Sequence, residues 1–590
     1  MSRHFSASIV FGLLCLISAT ASGQVTGPRT RVTQPIDEAR RVLLAGNTRP
    51  EVNPKNDLGP VEDSLHLDMF LQLNRSPEQE VAAREFVESL TSKNSPNFHK
   101  WITAAQFGER FGASNEDIAT VNRWLESHGF HVNGVPVHRM VIDFSGSAAQ
   151  VREALHTDIH YLSVRGKRSF ANMRDPQIPE ALAPVVMGVV SMSNIQPQPM
   201  YRSKAQYTIS PQTEAVVPGD LATIYNLNPL FTAGYTGQGQ TIVVVEDSDL
   251  FSGTADWNSF RKTFALTQYT GATLTQSHPA GVTSCSDPGV AGAADEAALD
   301  VEWASASAPS AAIVMASCQD TTNFGGFIAL QNILTSGAAL PSIVSISYGQ
   351  SETTDGPTYN AYISSLYQLA AAEGVSVFVS SGDAAAAAVD RFNTAAVFGI
   401  NVSGWTSTPY NVSVGGTDFG DYAAGTSSSY WSPVNGTYFN SAISYVPEIP
   451  WNDSCGSAVA ANYYGFTTSY GLGGFCNSYP DYADTAAGSG GPSGCATGAK
   501  TNGYSVSGTC AGWPKPSWQT VNGNPSDGVR DIPDVSLFAA AGVWGRYLVF
   551  CYSAEATCSG SPAGWAGGGG TSFSTPIMAG IQALDRKSVV

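Results

Sequence analysis

Val375-Ser376-Val377-Phe378-Val379-Ser380-Ser381-Gly382-Asp383 is a short apolar run that ends in a small-residue turn and an acid. Five residues of this kind, too few for a helix, read as a strand buried on both faces. Thr241–Val245, Ala311–Ala316 and Ile343–Ser347 repeat the pattern. A helical stretch, Tyr359–Glu373, ends at Gly374 just before the quoted run. Strand, helix, strand in that order predicts an α/β fold built on a doubly wound parallel sheet. Asp383 then stands at the C-terminal end of a central strand, where open parallel sheets build their sites. The bland alternative is an aspartate that bonds its own turn.

Upstream the rhythm differs. Leu65–Leu73 (LHLDMFLQL) alternates as a half-buried strand does. Ser76-Pro77-Glu78-Gln79 sets a helix start, with Ala82, Phe86 and Leu90 on one face. A second helix is expected over Asn115–His128, strands over Val135–Phe144 and Ile159–Val164, and a short helix over Ala148–Leu155. These split strand–helix–strand units predict a ferredoxin-like α+β domain. The Pro/Gln-rich segment 196–216 reads as a linker or processing region. Residues 420–530, rich in Gly, Ser, Tyr and Asn, read as long surface loops.

A chain of 590 residues exceeds one ordinary core and predicts two folded units. Residues 1–23 have a basic start, an apolar stretch from Ile9 to Ile17 and small residues at Ala19-Thr20-Ala21, the pattern of a secretory signal. No later apolar run has the length of a membrane span. Of nine cysteines, Cys15 lies in that signal segment and the other eight all lie beyond residue 280, which points to disulfides formed in an oxidising compartment. Sequential pairing gives Cys455–Cys476, Cys495–Cys510 and Cys551–Cys558. The formal net charge is −18; residues 201–590 hold 28 acidic and 11 basic residues, residues 1–200 hold 20 and 19. An acidic half without a basic patch argues against nucleic-acid binding.

Gly570-Thr571-Ser572-Phe573-Ser574-Thr575-Pro576 follows a glycine run and opens onto a helix, a setting that presents a nucleophilic serine. Such a serine needs a base. His278 is the sole histidine beyond residue 200, and QSHPAG around it reads as a loop. Carboxylates must serve instead. Glu296 and Asp300, spaced i, i+4 within ADEAALDVEW, share one helix face and cannot both ionise easily. A solvated acidic face is the ordinary reading of such a pair, but Leu299, Val301 and Trp303 favour burial. Ser347-Tyr348-Gly349 and Gly415-Gly416 end strands whose backbones are placed to line an extended substrate.

Taken together, Glu296…Asp300, Asp383 in SSGD and Gly570-Thr571-Ser572-x-x-x-Pro576 resemble the sedolisin family, the serine-carboxyl peptidases. Residues 57–193, with His99-Lys100-Trp101-Ile102-Thr103, resemble the activation propeptide of its kumamolisin-like branch. The resemblance implies a subtilisin-like catalytic domain behind the ferredoxin-like propeptide. It assigns Ser572 as nucleophile, Glu296 as its base, Asp300 as the group orienting Glu296, and Asp383 as part of the oxyanion hole. Ser347, Tyr348, Gly349, Gly415 and Gly416 would bind substrate. The implied organisation is a signal peptide (1–23), an N-terminal extension (24–56), the propeptide (57–195), the linker (196–216) and a C-terminally truncated peptidase domain (217–590).

The implied activity is that of a secreted, acid-active serine endopeptidase acting on protein or peptide substrates. Its own propeptide would inhibit it, as a monomer with no nucleic-acid or membrane partner. A tripeptidyl exopeptidase, or a non-catalytic binding protein on the same scaffold, are the alternatives. The family also implies one Ca2+ ion, but the segment expected to hold it, downstream of the serine helix, is absent before Val590, and no residue is assigned to metal. Paired charges between propeptide and catalytic domain are expected to weaken in acid, releasing a mature chain that starts between Ser210 and Gly219.

Overall fold

The computed structural model describes residues 27–585, except 206, 207, 211, 212, 392, 394 and 480–484. The expected signal segment and residues 586–590 lie outside the described residues.

The short apolar runs become one sheet. Its order is Thr273–Ser277, Ala312–Ser317, Thr241–Glu246, Ile343–Ile346, Ser376–Ser380 and Val412–Phe419, all parallel. Val535–Phe538 continues it in parallel on Val412–Phe419, and Glu448–Pro450 pairs with the same strand antiparallel. Successive side chains point to opposite faces. Ile242 and Val244 enter one core with Trp303, Phe573 and Ile577. Val243 and Val245 enter another with Phe327, Tyr362 and Leu366. Both faces of the central strands Thr241–Glu246, Ile343–Ile346 and Ser376–Ser380 are therefore dry, which is why these runs look continuous rather than alternating, whereas Thr273–Ser277 at the edge is largely exposed.

The helices Ala294–Ser307 and Thr571–Leu584 close the first face, and Gly325–Thr335 and Glu352–Ala372 the second. The last of these starts seven residues before the expected Tyr359. Ser351 caps it, and Gly356 (φ 76°) with Pro357 breaks the helical path, so the sequence pattern shows only the portion after the break.

The N-terminal unit has the expected ferredoxin-like order: His131–Gly134, Val141–Ser147, His66–Leu73, Val186–Val189, antiparallel throughout. Ser76 and Gln79 form the reciprocal cap, with Gln79 N–H donating to Ser76 Oγ (3.2 Å) and Ser76 N–H to Gln79 Oε1 (3.3 Å). Two expectations fail. Val135–Phe144 is not one strand, because residues 135–140 turn between two, with Arg139 at φ 58°. His66–Leu73 is not half-buried: its second face puts Phe70 against Tyr362 of the C-terminal unit.

Val87, Leu90, Phe107 and Phe111 of this cover share the apolar cluster of Phe327 and Tyr362. Hydrogen bonds without a carboxylate partner add to it: Ile102 N–H to Ala372 O (3.0 Å) and Arg75 Nη1 to the Gln368 amide oxygen (2.7 Å). One carboxyl at this face responds to acid in the opposite sense to a charge pair. Glu373 accepts the Ala104 N–H (2.7 Å), and burial pushes its carboxyl up to about 8. A raised carboxyl stabilises below its ordinary range and loses that contribution as pH rises through the folded value, so base, not acid, strains this contact.

The three sequential disulfides are present, and Cys285–Cys318 is the fourth. Among the described residues no helix is long and apolar enough to cross a membrane.

Candidate active site

The serine turn is held by glycine geometry. Gly570 takes φ 111°, and its missing side chain leaves room for a backbone: a Cβ there would lie 2.3 Å from Met200 O and 2.9 Å from Asp383 Oδ2. Ser572 is the second residue of the helix Thr571–Leu584, which packs Phe573 edge-on to Trp303 of Ala294–Ser307. That contact sets the serine beside Glu296 and Asp300, both fully buried.

Ser572 Oγ donates to Ser347 O at 3.2 Å, and neither Glu296 oxygen has a hydrogen-bond partner. Burial raises Glu296 well above the carboxylate range; Asp300, Asp295 and Asp383 add to this, and the nearby Ser572 hydroxyl opposes it. Asp300 accepts from Ser347 Oγ (2.8 Å), and burial pushes it up to about 7 against that bond and one with Glu246. Glu246, raised well above its usual range by burial and then by Asp300 and Glu296, completes a triad of acids. Such a cluster titrates as a unit, its charge shared among its members.

Asp383 Oδ1 accepts from Thr571 N–H (2.8 Å) and Thr571 Oγ1 (3.0 Å), which fixes the carboxyl plane. Oδ2 has no hydrogen-bond partner, with Arg391 at 3.5 Å. Burial raises the Asp383 carboxyl, against the lowering pull of Arg391 and Arg202. A protonated Oδ2 can donate into the cleft; an ionised one cannot.

The linker fills that cleft. Gln198–Pro199 pairs antiparallel with Tyr348–Gly349, Met200 N–H donates to Ser347 O (2.7 Å), and Met200 O accepts from Ser572 N–H (2.8 Å). Ser347, Tyr348 and Gly349 therefore meet an extended chain. Gly415 and Gly416 do not: their Cβ positions are taken by Pro533, Ser536, Trp451 and Ala539, so they are small for packing.

Glu246, Thr571 and Arg391 were not read from the sequence. Glu246 left one signal, an acid at the C-terminal end of the first strand. Tyr348 joins it to a further acid, its hydroxyl lying 2.9 Å from both Glu246 Oε2 and Asp247 Oδ1. Arg391 lies in a loop with no pattern to mark it.

Residues 55–195 match the family model for the pro-kumamolisin activation domain. Kumamolisin of Bacillus sp. (strain MN-32) is 26% identical over 59% of this chain and 62% of its own length. Sedolisin of Pseudomonas sp. (strain 101) is 24% identical over 97% and 85%. The chain is similar over nearly its whole length to a peptidase of the sedolisin family. Tripeptidyl-peptidase 1 of Canis lupus familiaris is 25% identical over 61% of this chain. The chain spans less than two thirds of the kumamolisin and tripeptidyl-peptidase lengths, at 62% and 63%.

Sedolisins imply calcium, which takes six to eight oxygen ligands. Two groups of three potential ligands lie close together among the described residues. Asp256 stands with the disulfide-bonded Cys551 and Cys558, and Asp249 and Asp287 with His278. Neither is an all-oxygen set, so these residues do not fit calcium and no step is derived through it.

Proposed function

We propose that this chain is the proenzyme of a secreted, acid-active serine-carboxyl endopeptidase. One observation carries the reading: Ser572, with Glu296 beside its hydroxyl, donates its N–H to a peptide carbonyl, Met200 O (2.8 Å), and that oxygen and Asp383 Oδ2 both border the space left by the missing Gly570 side chain. Ser572 Oγ attacks a substrate carbonyl and passes its proton to Glu296. Asp300, oriented by Ser347, shares the charge that Glu296 gives up and takes back. Ser572 N–H and protonated Asp383 stabilise the oxyanion. The leaving amine takes the proton from Glu296, and water then hydrolyses the acyl ester by the same path reversed.

Two demands bound the pH of operation. The base cluster needs one ionised carboxyl near Ser572, and Asp383 must keep its proton. Asp383 loses that proton as pH rises through its raised value, so activity should fall on the neutral side. Export is supported by the N-terminal apolar stretch and four disulfides.

Endopeptidase action is supported by the length of chain upstream of the Met200 carbonyl. Gln196 Nε2 still donates to Thr321 O (2.7 Å), and the chain continues into the cover. The likeness to tripeptidyl-peptidase 1 favours a second reading, release of tripeptides from free N-termini. Acid digestion of denatured protein with free and with blocked N-termini tests both. Cutting of both, abolished by Ser572→Ala, is expected; cutting of free termini alone selects the exopeptidase, and cutting that survives Ser572→Ala removes both.

A further inference from the structure

Residues 198–203 lie across the site as a bound substrate does, on both sides of one peptide bond. Upstream, the Met200 backbone is clamped between Ser347 O and Ser572 N–H. Downstream, Arg202–Ser203 pairs antiparallel with Gly568–Gly569, immediately before the serine turn. Glycine is needed there, because a Cβ at Gly568 would lie 2.2 Å from Arg202 O and 2.6 Å from the Tyr201 ring. Arg391 anchors the junction, Nη2 donating to Tyr201 O (3.0 Å) and Nη1 lying 3.1 Å from Met200 Sδ.

The Tyr201 ring enters an aromatic pocket. Phe550 meets it edge-on at 5.8 Å, and Phe573 at 6.1 Å and 60°. Phe573 is the residue after the serine, so this pocket is built onto the nucleophile's own helix. Aromatic pairs at these separations favour a ring over an aliphatic side chain beyond the area buried.

Resting on the peptidase reading above, we propose that the first self-cleavage breaks the Met200–Tyr201 bond. The same pocket selects substrates with an aromatic residue immediately after the cut. In that step Ser572 Oγ bonds to the Met200 carbonyl carbon and gives its proton to Glu296. The Met200 C–Tyr201 N bond breaks as Glu296 delivers the proton to the Tyr201 nitrogen. Water then frees the Met200 carboxyl and restores Ser572. Lys204, Ala205 and Ile209 stay bonded to Gly567, Ala541 and Val543, so a start between Ser210 and Gly219 requires a later, second cut.

The full proenzyme, brought to about pH 4 within the carboxylate range, is sampled early and its new termini are read by mass spectrometry. A first N-terminus at Tyr201 is expected, with Tyr201→Ala slowing its appearance about tenfold, roughly one to two aromatic contacts. A first cut elsewhere overturns the proposal. Two quenched peptides, identical except for Tyr or Ala after a common Met, read the pocket without refolding concerns. An aromatic preference of about tenfold in kcat/KM is expected, and equal rates overturn it. Proteolysis of denatured protein without that preference defeats this inference alone. Absence of all Ser572-dependent proteolysis defeats the parent reading.

Discussion

The two faces of the central sheet are closed in different ways. On one, the helices Ala294–Ser307 and Thr571–Leu584 bury Trp303, Phe573 and Ile577 and carry every group proposed for the chemistry except Asp383. On the other, the helices Gly325–Thr335 and Glu352–Ala372 cover the strands and are themselves covered by Phe107, Phe111 and Leu90 of the N-terminal unit. The first face is closed within the C-terminal unit; the second has its outer surface covered by the N-terminal unit. The proposed catalytic geometry should therefore outlast loss of that cover.

Glu296→Gln should have the largest effect. It removes the base while keeping shape, and peptidase rate at the acid optimum should drop about 10²–10⁴-fold. Next, Phe573→Ala should cost the catalytic unit about 3–5 kcal/mol, the scale of a buried phenylalanine, read by denaturant melts of mature enzyme. Phe107→Ala sharpens the contrast. It should weaken inhibition of mature enzyme by the cover added in trans. Unchanged inhibition would break the distinction between the faces. Ser76→Ala, at the cap of a cover helix, should cost about 1 kcal/mol in the cover alone.

Much of this was legible in the residues. Four of the parallel strands announced themselves as short apolar runs, and the i, i+4 spacing brought Glu296 and Asp300 to one buried helix face. The reciprocal cap at Ser76 and Gln79 was likewise plain. What was hidden depends on contacts between distant segments. His66–Leu73 alternates like a half-exposed strand because Phe70 is covered by another domain, which no local pattern records. Gly415 and Gly416 look like a substrate-lining strand end, yet their smallness answers to Pro533 and Trp451. The role of residues 198–203 could not be seen at all, since a Pro/Gln-rich linker carries no mark of lying in a cleft.

The central claim is that a protonated Asp383 faces the substrate carbonyl, and Asp383→Asn tests it most directly. Asparagine keeps an acceptor for Thr571 and presents an N–H at every pH, where aspartate presents a donor only below its raised carboxyl value. The measurement is the pH profile of kcat/KM for wild type and Asp383→Asn on one peptide. The account expects wild-type activity to fall towards neutral pH and the variant, whatever its absolute rate, to hold its activity to higher pH. An alkaline optimum in the wild type, or an unmoved upper limb in the variant, would contradict it.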